Sequence, residues 1–100
     1  MTSENDIDAT IVANMHTMCS DGQPIARICE YIWQCLRLEK GNSFSVVRYF
    51  WRGFGLTLLD ARLIEASPIC GGKAITVDVL EQRLRPKMEA YVSKQRANEM

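Results

Sequence analysis

The sequence has one histidine, three prolines, no net charge and no pair of cysteines spaced as CxxC. Each scarcity excludes something. His16 lies in a Met-rich stretch with no carboxylate three or four residues away, so no base with an orienting acid is assembled around it. Cys70-Gly71-Gly72-Lys73 carries glycines but lacks the spacing and the Ser/Thr of a phosphate-gripping loop. A zero net charge gives no general attraction to nucleic acid or to an anionic membrane. No apolar run is long enough to span a bilayer. The opening MTSENDID is polar and acidic where a secretory signal requires basic and then apolar residues. These features predict a cytoplasmic chain with no membrane partner and with reduced cysteines.

Cys19, Cys29, Cys35 and Cys70 are read as small apolar residues. His16 and Cys19 stand one helical turn apart, as two metal ligands would. A closed tetrahedral site needs further ligands, and nothing nearby supplies them. The expectation is therefore no metal, no cofactor and no catalytic residue. Lys73, close to Cys70, could lower that thiol's pKa, but a loop cysteine without a histidine partner is read as incidental.

What the sequence does contain is helical periodicity. A first helix is predicted over residues 6–19, from the spacing of Ile7, Ile11, Met15 and Met18. Asn5, Asp6 and Asp8 are its candidate caps. A second spans 24–40, with Pro24 in its first turn, Gly41 at its end, and Ile25, Ile28, Cys29, Ile32 and Leu36 as the inner stripe. A third spans 44–52 behind Asn42 or Ser43. A fourth spans 57–66, where Thr57 and Asp60 form a T-x-x-D capping box. Thr76 caps a fifth, in which Val77, Leu80, Leu84, Met88 and Tyr91 stay in phase across Pro86, so a kink is expected there rather than a break. The fold class is all-α, about five helices in one domain over 1–100, with 1–5 and 94–100 frayed.

All three phenylalanines of the chain fall in 43-SFSVVRYFWRGFGLTLLDARLIEASP-68, together with Tyr49 and Trp51. Phe44, Val47, Phe50, Trp51 and Phe54 occupy more than the single stripe a surface helix needs. Such a helix is either central to the fold or set against another chain. Trp51 is assigned to the core seam, and Trp33 with Tyr49 to the exposed side. The predicted partner-binding residues are Trp33, Tyr49, Phe54, Arg48, Arg52 and Arg62.

Within this stretch Val46-Val47-Arg48, Phe50, Gly55-Leu56-Thr57-Leu58 and Asp60-Ala61-Arg62 resemble the helical hairpin of the ribosomal stalk protein's carboxy-terminal domain. The resemblance covers about residues 46–64 and implies a helix–turn–helix packing unit that docks partners. The strands that flank the hairpin in that family find no counterpart here.

The predicted function is that of a small regulatory or adaptor protein acting by helix-mediated protein binding, such as an inhibitor (antiactivator) of a transcription regulator. Two strongly apolar helices set against a small core also predict a homodimer. The alternative is a nucleic-acid-binding regulator. Residues 51–100 carry eight Lys/Arg against six Asp/Glu, and Arg48, Arg52 and Arg62 would act with the patch Arg83, Arg85 and Lys87. Against it, the would-be recognition helix TLLDARLIEA offers little besides Arg62, and Asp60 and Glu65 would repel phosphates.

Overall fold

The computed structural model describes residues 7–98, and among them five α-helices and no strand occur. They are α1 (Ala9–Ser20), α2 (Ile25–Leu36), α3 (Ser43–Gly53), α4 (Leu58–Ala61) and α5 (Val77–Asn98), with two 3-10 turns at Arg62–Ile64 and Pro68–Cys70. The all-α class is thus the observed one.

α1 is central, packing against α2, α3 and α5, while α3 also meets α2 and α4. Each helix contributes the stripe its spacing dictates. α1 buries Ile11, Met15 and Cys19; α2 buries Ile25, Ile28, Cys29, Ile32 and Trp33. α5 buries Leu80, Leu84, Met88 and Val92, each four residues after the last. Its remaining faces are polar, so a 22-residue helix contributes only one apolar row.

The helix starts are set by short polar side chains. The Asp8 carboxylate accepts from Thr10 N at 2.8 Å and Ile11 N at 3.3 Å, so α1 begins at Ala9. Asn5 and Asp6 lie outside the described residues. Asn42 Oδ1 accepts from Ser45 N at 3.2 Å to start α3. Thr57 Oγ1 accepts from Asp60 N, and Thr76 Oγ1 from Val79 N, both at 3.1 Å.

α2 has no cap of its own, since its N-cap residue is Pro24. Glu81, on α5, fills the role: Oε2 accepts from Ile25 N at 2.6 Å, at the positive end of the α2 dipole. Its other oxygen accepts from Arg85 Nη2 at 2.9 Å, and Arg85 in turn donates to Gln23 O at 2.6 Å. One carboxylate therefore joins the start of α2 to α5. Glu81→Ala leaves Ile25 N and Arg85 without this acceptor. A loss of about 1–3 kcal/mol is expected, read from the midpoint of a urea melt; an unchanged midpoint would mean water replaces the carboxylate at no cost.

Three helix ends differ from the sequence expectation. α2 stops at Leu36, not at residue 40, because Arg37 adopts a left-handed conformation (φ 57°, ψ 44°). Arg37 N donates to Gln34 O at 3.2 Å and Leu38 N to Trp33 O at 2.8 Å, a Schellman closure that satisfies these two carbonyls and ends the helix. Gly41 belongs instead to a separate turn closed by Asn42 N on Glu39 O. α4 lasts one turn and tightens into the 3-10 turn, after which Ser67 Oγ donates to Ile64 O at 2.7 Å. α5 continues unsplit through Pro86 to Asn98, past residue 94 where fraying was expected; residues 1–5, 99 and 100 are outside the described range.

Candidate functional site

α3 carries two longitudinal stripes, offset from each other around the helix. Val46, Tyr49, Phe50 and Gly53 face inward and are buried. Phe44, Val47, Arg48 and Trp51, at i, i+3, i+4 and i+7, face the other way and line a groove. Leu58 of α4, Arg62 and Glu65 form the opposite wall, and the groove holds about 540 Å³. Phe44 is 74% exposed, Trp51 37%, Leu58 47% and the neighbouring Leu59 79%. Val47 differs from the rest: only 8% exposed, it forms the floor.

The groove is apolar at its centre and basic at its edges. The Arg52 guanidinium lies 5.5 Å from the centre of the Trp51 ring, a cation–π distance. Arg62 Nε donates to Glu65 Oε1 at 2.8 Å. Arg48 is half-buried, and its Nη2 is out of reach of water with no hydrogen-bond partner among the described residues. An unsatisfied buried donor of this kind costs on the order of 1–3 kcal/mol.

The predicted partner-binding residues divide by type. The three arginines, Arg48, Arg52 and Arg62, lie on or beside the groove. The three aromatics do not. Trp33 is 3% exposed and its Nε1 donates to Asn42 O at 2.8 Å, so the indole is pinned between α2 and the α3 cap. Tyr49 is 5% exposed, and its hydroxyl accepts from Asp8 N at 3.1 Å. Phe54 is buried between Phe50 (5.3 Å between ring centres) and His16 (5.4 Å). Trp51, assigned to the core seam, is the exposed tryptophan. The residues missed are Phe44, Val47, Trp51, Leu58 and Glu65. For the three on α3 the signal was the surplus of stripes on one helix, which reveals two faces but not which of them turns inward; Leu58 and Glu65 had no such signal.

The remaining chemistry-bearing residues are engaged within the fold. His16 Nε2 donates to Gly53 O at 2.6 Å, and Tyr91 packs edge-on against its ring. Cys19 is buried and receives a weak hydrogen bond from Arg85 Nη1 at 3.8 Å. Cys29 is buried and Cys35, on the same helix, is exposed. At Cys70 burial first, and then the Glu65 charge, push the thiol above its ordinary value rather than below it. No cluster of three or more metal-ligating side chains occurs among the described residues.

The second basic patch is largely neutralised. Arg85 is paired with Glu81 at 2.9 Å. Lys87 Nζ donates to Asp60 Oδ2 at 2.6 Å, and that bond holds the Asp60 carboxyl below its ordinary value. Of the three cations predicted to grip phosphate, Arg83 has no ion pair among the described residues. Among the described residues no helix is long and apolar enough to cross a membrane. Comparison with models of known protein families, with curated proteins and with solved structures finds no match to this chain.

Proposed function

We propose that this chain is a small regulatory or adaptor protein that acts by seating part of another protein in the α3–α4 groove, as an inhibitor (antiactivator) of a transcription regulator would. The observation that carries this reading is the gathering of the exposed apolar side chains Phe44, Trp51 and Leu58 around one groove, with Leu59 exposed beside Leu58. Aromatic anchors in a concave apolar site are what protein interfaces use for most of their binding energy. The ion pairs of Arg85, Lys87 and Arg62 weigh against the nucleic-acid alternative, because each would have to be broken to free a cation for phosphate.

A homodimer remains within this reading, but its basis is narrower than the sequence implied. α5 uses its apolar row inside the chain, so a second copy would have to meet the same α3–α4 face.

The test is a paired capture from the native host with wild-type and Trp51→Ala chains as baits, followed by mass spectrometry. Both baits must melt at the same temperature. A docking groove predicts a protein enriched by the wild type and depleted at least about tenfold by the variant, since an anchor of this type contributes about 2 kcal/mol or more. Identical capture by the two baits would remove the groove from the function.

A further inference from the structure

The groove is not a neutral apolar surface, and its charge restricts what can fill it. Around Phe44, Val47, Trp51 and Leu58 stand three cations, Arg48, Arg52 and Arg62, against one carboxylate, Glu65. That carboxylate is already bound to Arg62. Arg48 lines the groove half-buried, with its Nη2 turned away from water. The site therefore has an apolar floor and a net positive rim.

We propose that the occupant is an amphipathic helix of another protein whose apolar row is flanked by Asp or Glu side chains, one of them accepting from the Arg48 guanidinium. This rests on the docking reading above and names its partner class. Anchors at helical spacing on the incoming segment would meet the row of Phe44, Val47 and Trp51. A flanking carboxylate would meet the accessible part of the Arg48 guanidinium, and such a charge-assisted bond is stronger than a neutral one. α3 has 11 residues, so the wall matches about three turns of a partner helix. A partner strand has no exposed sheet edge to join among the described residues.

The other occupants fit the same features less well. A second copy of this chain would bring its own Arg48, Arg52 and Arg62 against the first set, and like charges across an interface oppose association. A lipid surface suits a protruding apolar patch, whereas this one is concave. Nucleic acid would set phosphates over an apolar floor beside Glu65.

The test uses the full chain and two fluorescein-labelled peptides of about 18 residues, enough for five helical turns. They share one Leu row at i, i+3, i+4 and i+7 and differ only in flanking residues, Glu in one and Lys in the other. Fluorescence anisotropy should show the Glu peptide binding at least about tenfold tighter, with the difference shrinking as salt rises. Arg48→Met should abolish most of that preference. Arg52→Glu, at an exposed position, should weaken the Glu peptide and strengthen the Lys peptide even if Arg48→Met folds poorly.

Equal affinity for the two peptides, both weakened by Trp51→Ala, would overturn the acidic partner and leave the docking groove standing. No binding by either peptide overturns the inference, while the groove itself still answers to the capture experiment. Sedimentation at twice the 11.4 kDa chain mass, reversed by Trp51→Ala, would make a second copy the occupant and overturn it. So would Trp51-dependent binding of phosphatidylserine vesicles or of duplex DNA that displaces the Glu peptide.

Discussion

Trp33→Ala should lower the stability of the fold by about 3–5 kcal/mol, whereas Trp51→Ala should lower it by less than about 1 kcal/mol. Trp33 is 3% exposed and bridges α2 to the carbonyl of Asn42, the residue that also caps α3. Its removal leaves a cavity the size of an indole and frees Asn42 O from its partner. Domains of this size have about 5–15 kcal/mol in total, so the variant should be partly unfolded in water at room temperature. Trp51 loses only a half-exposed surface and its contact with Arg52. Urea melts of both variants, followed by circular dichroism, decide between them. Matching midpoints, or a greater loss from Trp51→Ala, would show that α3 is turned the other way and that its outward face is core.

Gly72→Ala should be among the most damaging single-methyl additions in the chain, at about 1–3 kcal/mol. A Cβ on Gly72 would stand 2.5 Å from Ala66 C and 2.6 Å from Ala66 O and Glu65 O. All three are backbone atoms, so no side chain can swing aside. The crossing is held by Gly72 N on Ser67 O at 2.8 Å and Ala74 N on Ala66 O at 3.0 Å, which tie the end of the α4 region to the approach to α5. The added methyl must open at least one of these bonds. Glu65 sits on this segment and also lines the groove, so the variant should perturb the Arg62–Glu65 pair as well. Hydrogen exchange at Ala74 N gives the most direct reading. Protection equal to wild type, with an unchanged melt, would mean that the crossing is looser than its distances indicate.

Helix identity was legible in the sequence because it depends on local spacing and short caps. Asp8, Asn42, Thr57 and Thr76 mark starts by their own side chains, and Ile11, Met15, Leu80, Leu84 and Met88 repeat at the helical period. The ends were harder. Nothing local says that Arg37 will take a conformation that costs an L-residue about 1–2 kcal/mol; the packing of Trp33 and the closure around it impose that end. Glu81 as the cap of α2 was equally hidden, because Ile25 lies 56 residues away along the chain.

The site was half legible. The excess of aromatic residues on 44–54 announced a helix with two uses, and the arginines on its outer side followed from their spacing. The direction of each stripe did not follow. Both 44-47-51 and 46-49-50 keep helical spacing, and both are rich in large apolar side chains. The choice is made by Gly53, whose carbonyl His16 holds, and by Phe54, which leaves the helical conformation (φ −114°) and folds back under Phe50. The first of these contacts joins residues 37 positions apart in the sequence.

The offset between the two stripes of α3 bears on how this chain can change over generations. Phe44 and Trp51 touch the groove without forming part of the buried cluster, so substitutions there alter recognition and disturb folding little. Phe50 and Tyr49 are bound by the opposite rule. Val47 alone of the α3 groove residues belongs to both sets, lining the groove while 8% exposed. A lineage acquiring a new partner is thus freest to drift at Phe44 and Trp51, where a shared occupant couples their effects on recognition, and at Val47 it must negotiate recognition and stability in the same substitution.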